Sequence, residues 1–422
     1  MKNTEKPTKA DRSGNMTAPG WEGLAAKQRQ IIEDGFSSGN ALICGGPEGV
    51  FFENYEGTKT ADPCDPVCRD TIFHLYSMTK VFTVTAVMQL VEKGVLGLDD
   101  PAEKFIPEFG NVTVWEDGRA RPAVNKITVR MLLTMTSGLS YFLEDPSGKA
   151  KELADRWRAD IQKGRGWNAR RAAAEIASVP LSFEPGEKYL YGLSHDVLGA
   201  IVETVSGETL DAYFAKHIFE PLGMKDTFFY QRLPEELKPR LAENTAFESG
   251  RYVNIALPPR PVPIPLFDGV DDPEDMSGGS GLVGTTHDFA LFLAEMLDPA
   301  KGILKRGTIE NIVAPRLNEA QRRCYNDPNG DPSISGPEHT FALGVRVQDR
   351  EAASGTGSVG EWGWSGALGT WFFVSPKDRV WFVYMHQHTP ALHDAFIAGL
   401  RNKFYEILKR EPGDTDSSVI KE

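Results

Sequence analysis

The chain has 422 residues, with 46 Lys and Arg against 59 Asp and Glu, for a formal charge of −13. That length has room for two or three domains or one large two-part unit, and the composition is that of an ordinary soluble globular protein. An acidic chain with no basic cluster disfavours nucleic acid and anionic membranes as partners. No apolar stretch is long enough to span a bilayer. The polar start, Met1 to Gly20, lacks the apolar centre of a signal peptide. The expected location is therefore cytoplasmic.

Residues 1–21 are expected to form a flexible tail, with a helix over about Trp21–Asp34, where Leu24, Ala25, Gln28, Ile31 and Ile32 fall at helical spacing. Gly35-Phe36-Ser37-Ser38-Gly39 then matches Gly-x-Ser-x-Gly. A nucleophile elbow needs a strand before that motif and a helix after it. Here the order is reversed, so the stretch reads as a helix exit and turn. Ala41–Cys44 and Val50–Tyr55, joined by Gly45-Gly46-Pro47, predict an antiparallel hairpin. Cys44, Cys64, Cys68 and Cys324 have no paired-ligand spacing and read as free thiols.

After a loop over 57–69, a polar segment ends in Ser77-Met78-Thr79-Lys80 and runs into a dense apolar stretch closed by Gly94. The stretch is too apolar for a surface helix, so it predicts a buried one with Gly94 just past its C-cap. Ser77 then lies at the helix N-terminus, where unpaired N–H groups stabilise developing negative charge. Lys80 is one turn on, along the same face. A buried Lys is pushed toward its neutral form and can take a Ser proton. Spacing alone does not carry this, because Ser418-Val419-Ile420-Lys421 repeats it in a polar tail. Context separates the two.

Thr128 should cap a short helix ended at Ser137-Gly138, and helices are expected over Lys149–Lys163 and Asn168–Ser178. Pro185-Gly186 opens a turn carrying Tyr189 and Tyr191, followed by a helix capped by Ser194 and reaching Val205. Tyr191 can act as general acid or base beside a cation such as Lys80. Residues 208–218 read as helix and Pro221–Met224 as turn. Residues 231–275 read as Pro-rich and irregular. Ser277-Gly278-Gly279-Ser280-Gly281 is a glycine-permitted turn, and Thr286 should cap a helix through Leu297.

Beyond residue 340, Phe341–Val347, Thr370–Val374 and Val380–Met385 read as strands, with a last helix from about Leu392 to Leu408. Trp362–Thr370 enters an edge strand that could lend a backbone N–H to an oxyanion hole with the N–H of Ser77. The eight His residues form no metal constellation, and His195, His287, His386 and His388 read as structural. The expected organisation is a discontinuous sheet lobe (22–98 and 283–411), a mainly helical lobe (99–282) and a flexible tail (412–422).

Three stations stand in order: Ser77-Met78-Thr79-Lys80, Tyr191-Gly192-Leu193 and Trp364-Ser365-Gly366. Together they resemble the motifs of the serine β-lactamase and penicillin-binding-protein superfamily, in its class C branch, and most closely the family VIII carboxylesterases. Leu132–Leu139, Phe219–Met224 and Ser277–Leu282 support the likeness over roughly 22–410. The resemblance implies an α+β, β-lactamase-like fold: an antiparallel sheet flanked by helices, plus a mainly helical lobe. It implies Ser77 as acylated nucleophile, Lys80 and Tyr191 as the proton-transfer pair, and the N–H groups of Ser77 and Ala367 as oxyanion hole. It also implies no cofactor and no metal. The Gly-x-Ser-x-Gly at 35–39 resembles the non-functional copy in some of these esterases.

Two positions depart from the β-lactamase pattern. Leu193 replaces the Asn of Tyr-x-Asn, and Trp364 replaces the Lys of Lys-Thr-Gly. A substrate wall of Trp364, Ser365, Gly366 and Leu193 offers no cation and loses an amide, which suits a neutral acyl or alkoxy group. The expectation is a serine carboxylesterase acting on a small-molecule ester. Its rivals are a β-lactamase or D-amino-acid peptidase or amidase, an acyltransferase, and a non-catalytic binding protein on the same fold. Nothing in the sequence specifies an oligomeric state.

Overall fold

The computed structural model describes residues 16–17, 20–141, 145–255, 274, 276–327, 336–391 and 393–409. The tail expected over 412–422, most of that over 1–21, and residues 256–273 of the irregular segment lie outside them. Strand β1 (Met16–Thr17) is followed by α1 (Glu22–Glu33), and β2 (Gly39–Gly46) and β3 (Gly49–Gly57) form the expected hairpin. A two-residue strand, β4 (Phe73–His74), leads into a 3₁₀ turn (Tyr76–Thr79) and then α2 (Lys80–Glu92). Every α2 residue from Lys80 to Leu90 is buried. A helix apolar all round can only be stable inside the protein. Gly94, at φ 72, closes it as the left-handed residue past the cap.

A hairpin of β5 (Thr113–Glu116) and β6 (Arg119–Pro122) precedes α3 (Val129–Leu133), whose cap is Thr128: its side chain accepts from the Met131 N–H at 3.2 Å. Next come α4 (Lys149–Gln162), α5 (Ala169–Ile176) with Asn168 as cap, α6 (Ser194–Ser206), α7 (Leu210–Phe214), a π turn (Ala215–Phe219) and α8 (Glu220–Leu222). The chain continues through β7 (Phe228–Phe229), β8 (Thr245–Glu248), β9 (Arg251–Asn254), β10 (Leu282–Gly284), α9 (Thr286–Leu297), α10 (Arg306–Ile312) and α11 (Glu319–Tyr325). It ends with β11 (His339–Phe341), β12 (Arg346–Gln348), β13 (Trp362–Gly366), β14 (Thr370–Ser375), β15 (Val380–His386) and α12 (His393–Leu408).

Early and late strands share one antiparallel sheet in the order β1-β3-β2-β15-β14-β13-β12-β11. Side chains alternate across a strand, so each strand serves two cores. From β2, β14 and β15, Ala41, Ile43, Phe372, Val374, Trp381, Val383 and Met385 enter the large core with α2, α6 and α9. Leu42, Cys44, Trp371, Phe373, Phe382 and Tyr384 enter a second core with α1 and α12. Burial on both faces is why these strands are nearly continuous apolar runs.

The structure corrects several expectations. Phe341–Val347 is not one strand: it runs from the end of β11 through a turn over 342–345 into β12, because Gly344 adopts φ 75. The irregular segment contains the β8–β9 hairpin, whose tip is Ser249-Gly250 with both residues at positive φ. β13 is not an edge strand, since it pairs with β14 and β12. Its β12 partner ends at Gly363, however, which leaves Trp364–Gly366 unpaired on that side. Pro221–Met224 begins helically, because Pro is tolerated in a first turn. Thr285, not Thr286, caps α9. Ser194 is the first residue of α6 and caps nothing, its hydroxyl being bonded to Ser137 Oγ at 2.9 Å. Among the described residues no helix is long and apolar enough to cross a membrane, no acidic, His and Cys cluster could hold a metal, and all four cysteines are free thiols.

Candidate active site

Ser77 sits in the 3₁₀ turn that joins β4 to α2. Tyr76, just before it, holds φ 45, a left-handed conformation that costs a non-glycine residue of order 1 kcal/mol. The surroundings enforce it. Leu75 N–H donates to the Leu282 carbonyl at 2.9 Å, and Thr79 Oγ1 accepts from the Leu282 N–H at 3.1 Å. Ser77 is half-buried, whereas Lys80 is wholly buried.

Lys80 Nζ has three acceptors: Ser77 Oγ at 3.2 Å, Tyr141 Oη at 3.0 Å and the Gly279 carbonyl at 2.9 Å. No carboxylate forms an ion pair with it among the described residues. Asp196 feels its charge: burial pushes that carboxyl up, and Lys80 pulls it down less strongly. Asp196 Oδ1 accepts from Ser277 Oγ at 2.5 Å and from the Gly279 N–H at 3.3 Å, so it fixes the turn whose carbonyl grips Lys80. His195 is buried beside it. Desolvation first, then the Lys80 charge, pushes its imidazole well below the usual range, so it is neutral.

The Ser277–Gly281 turn uses its glycines for close approach, and none of them is at positive φ. A Cβ on Gly278 would stand 2.5 Å from the His195 carbonyl, and one on Gly279 would stand 2.7 Å from Asp196 Oδ2.

The second station also departs from expectation. Lys80 makes no hydrogen bond to the Tyr191 hydroxyl; its Nζ stands over the Tyr191 ring, 4.8 Å from the centroid. Tyr191 Oη instead accepts from Trp364 Nε1 at 3.1 Å. The phenol bonded to Lys80 is Tyr141, which sequence reasoning missed. The Tyr141 and Tyr191 rings meet edge to face at 5.4 Å. Their loops lie side by side: Leu190 N–H donates to the Met135 carbonyl at 2.9 Å, and a Cβ on Gly192 would stand 2.2 Å from the Leu139 carbonyl. The available signal was position, since Tyr141 lies just past the Ser137-Gly138-Leu139 stretch.

Trp364 and Ser365 are buried in β13, and Ala367 is exposed in the turn that follows. Gly366 packs against the 3₁₀ turn: a Cβ there would stand 2.3 Å from the Leu75 carbonyl. Among the described residues neither the Ser77 N–H nor the Ala367 N–H donates to a protein group. Leu193 is wholly buried in the large core and presents no surface to a ligand, which corrects its expected place in the substrate wall. The decoy serine, Ser37, is also wholly buried, and its hydroxyl donates to the Gly39 carbonyl at 2.6 Å.

Residues 24–403 match the model of the family described as Beta-lactamase. The chain belongs to that family. Esterase EstB of Burkholderia gladioli is 31% identical over 349 residues, covering 77% of this chain and 79% of that protein. Acyltransferase calJ of Penicillium decumbens is 30% identical over 343 residues, covering 77% and 78%. The solved structure of simvastatin synthase from Aspergillus terreus superposes with a TM-score of 0.79 over 94% of this chain and 100% of that one, at 21% identity. That last likeness speaks to the fold. The β-lactamase-like, α+β architecture expected from the motifs is the one observed.

Proposed function

We propose that the protein is a serine carboxylesterase that works through an acyl-enzyme on Ser77. The observation that carries this reading is Lys80 Nζ at 3.2 Å from Ser77 Oγ, buried and without a carboxylate partner among the described residues. An amine in that setting can take up the serine proton as the hydroxyl attacks. The proton then moves through Lys80 and the two phenols to the leaving alkoxide. Tyr191, in van der Waals reach of the ammonium and steadied by Trp364, is the expected carrier. The N–H groups of Ser77 and Ala367 would hold the tetrahedral oxyanion. Water then attacks the acyl-enzyme, giving its proton to the same groups, and the acid departs.

The ester preference rests on Trp364, whose indole stands where a lactamase has a cation and already donates to Tyr191. The kinship with an esterase at 31% identity supports it. A p-nitrophenyl ester chain-length series beside nitrocefin tests the reading, on wild type and Ser77→Ala. Turnover of short or medium esters that vanishes in the mutant is expected. Nitrocefin hydrolysed faster than every ester would overturn it.

Acyl transfer to an alcohol is a second reading, favoured by the kinship with an acyltransferase. Adding a bulky alcohol and assaying the new ester separates the two, because hydrolysis alone leaves the free acid as the sole acyl product.

A further inference from the structure

We infer that His393 is a positioning residue that sets the Gly366–Ala367 peptide for oxyanion binding, an inference that rests on the proposed role of the Ala367 N–H. His393 opens α12, remote in sequence from every motif. Its Nε2 lies 3.0 Å from the Gly366 carbonyl. A carbonyl only accepts, so the proton sits on Nε2 and the imidazole donates.

Gly366 O and Ala367 N belong to one peptide unit. A trans peptide is planar, with its C=O and N–H pointing in opposite directions. Holding the carbonyl on one side therefore aims the N–H on the other. The Gly369 N–H also donates to the Gly366 carbonyl at 3.1 Å, so both lone pairs are engaged. Hydrogen bonding at a carbonyl polarises the whole peptide and strengthens its N–H as a donor.

The rest of the turn is held as well. The His388 N–H donates to the Leu368 carbonyl at 3.0 Å. His386 packs beneath Gly369, where φ is 109 and any Cβ would collide with the imidazole. On the far side, Gly366 abuts Leu75, two residues before the nucleophile. Among the described residues the Ala367 N–H is left unpaired at the end of this clamp. A turn made only to close a hairpin does not need a side chain from another element on its carbonyl.

The test compares His393→Gln, which keeps a donor near the Nε2 position, with His393→Leu, which keeps bulk and removes the donor. An interaction made mainly in the transition state lowers kcat and leaves KM nearly unchanged. His393→Leu is expected to lower kcat on p-nitrophenyl butyrate about 10- to 100-fold, short of the roughly 100- to 1,000-fold for losing an oxyanion donor outright. Binding of phenylboronic acid, which forms a tetrahedral anion on serine, should weaken in parallel. His393→Gln should recover kcat to within a few-fold. Unchanged kcat in His393→Leu, or an effect confined to KM, would overturn the inference. So would a glutamine variant as impaired as the leucine one.

A second measurement needs no variant. Nitrogen-15 NMR of the wild-type imidazole should report the Nε2–H tautomer, and an Nδ1–H tautomer would overturn the inference. Failure of the esterase reading is distinguishable, because it appears as wild type inert toward every ester. The fluorophosphonate labelling rate at Ser77 then still compares the variants.

Discussion

At the scale of single residues, the site turns on which group can give up a proton. Lys80 is held by three acceptors, and the Gly279 carbonyl and Tyr141 fix its direction. Arginine at position 80 would keep a cation in place but could not act as a base, since its guanidinium stays charged. Lys80→Arg is expected to slow acylation at least ~1,000-fold, toward the upper part of the range for removing a general base. A stopped-flow burst with p-nitrophenyl acetate measures this directly, and a burst near the wild-type rate would remove the amine from the mechanism. The two phenols are separable in the same assay. Tyr141→Phe removes an acceptor from Lys80 and should cost about 10- to 100-fold, while Tyr191→Phe removes the proposed proton carrier and should cost about 100- to 10,000-fold. Equal effects would mean that the two act as one unit. Ser77 and Lys80 were legible because a three-residue spacing ahead of a buried helix is a local pattern. Tyr141 was not, because its phenol reaches Lys80 only through the pairing of two irregular loops.

Elements show the same division. Helices, even short ones, declared themselves through caps and spacing, as with Thr128, Asn168 and Gly94. Strands of two or three residues did not: β4, β7 and β10 bring Ser77, the Ser277–Gly281 turn and the chain around Phe229 together, yet none is long enough to show an alternation. Glycines mark these contacts in the sequence but do not name the partner. Gly366 is the sharpest case, since a Cβ there would meet Leu75 O at 2.3 Å and Thr370 Oγ1 at 2.1 Å. Thr370 also donates to that Leu75 carbonyl at 3.3 Å. Gly366→Ala is therefore expected to push the β13–β14 turn away from the 3₁₀ turn. Overpacking of this kind costs about 1–3 kcal/mol in stability. Activity should fall further than stability does, because the displaced turn carries Ala367. Thermal melting and ester kinetics on one preparation check both, and a variant of wild-type kcat would mean that the turn does not face the reaction.

Over the whole molecule, the discontinuous sheet was legible because apolar runs near both ends demanded partners that the helical middle could not supply. How polar groups are buried inside that architecture was not legible, and it governs how stability depends on pH. Desolvation pushes His195 and His386 well below the ordinary imidazole range, His339 to about 2 and His388 to about 4. In the unfolded chain each would titrate near 6.5. Between those limits the unfolded state binds protons that the native state refuses, so stability rises with pH and is lost as pH falls from about 6.5 toward 4. Each such histidine contributes about 1.4 kcal/mol per pH unit once its unfolded form is protonated. Asp196 and Asp288 act in the opposite sense: burial raises both, so the native state holds their protons to higher pH and they favour folding on the acid side of their window. That window opens near 4 and runs upward, and Glu203 is raised by burial in the same way, so these carboxyls offset part of the slope that the four histidines set between 6.5 and 5. The melting temperature is expected to fall steeply over that interval, before the surface carboxylates begin to protonate. His339 is the residue to change, since both its ring nitrogens are buried without hydrogen-bond partners among the described residues. His339→Leu should flatten the slope by roughly 1.4 kcal/mol per unit while leaving stability at pH 8 little changed. A slope identical to wild type would place the acid sensitivity elsewhere.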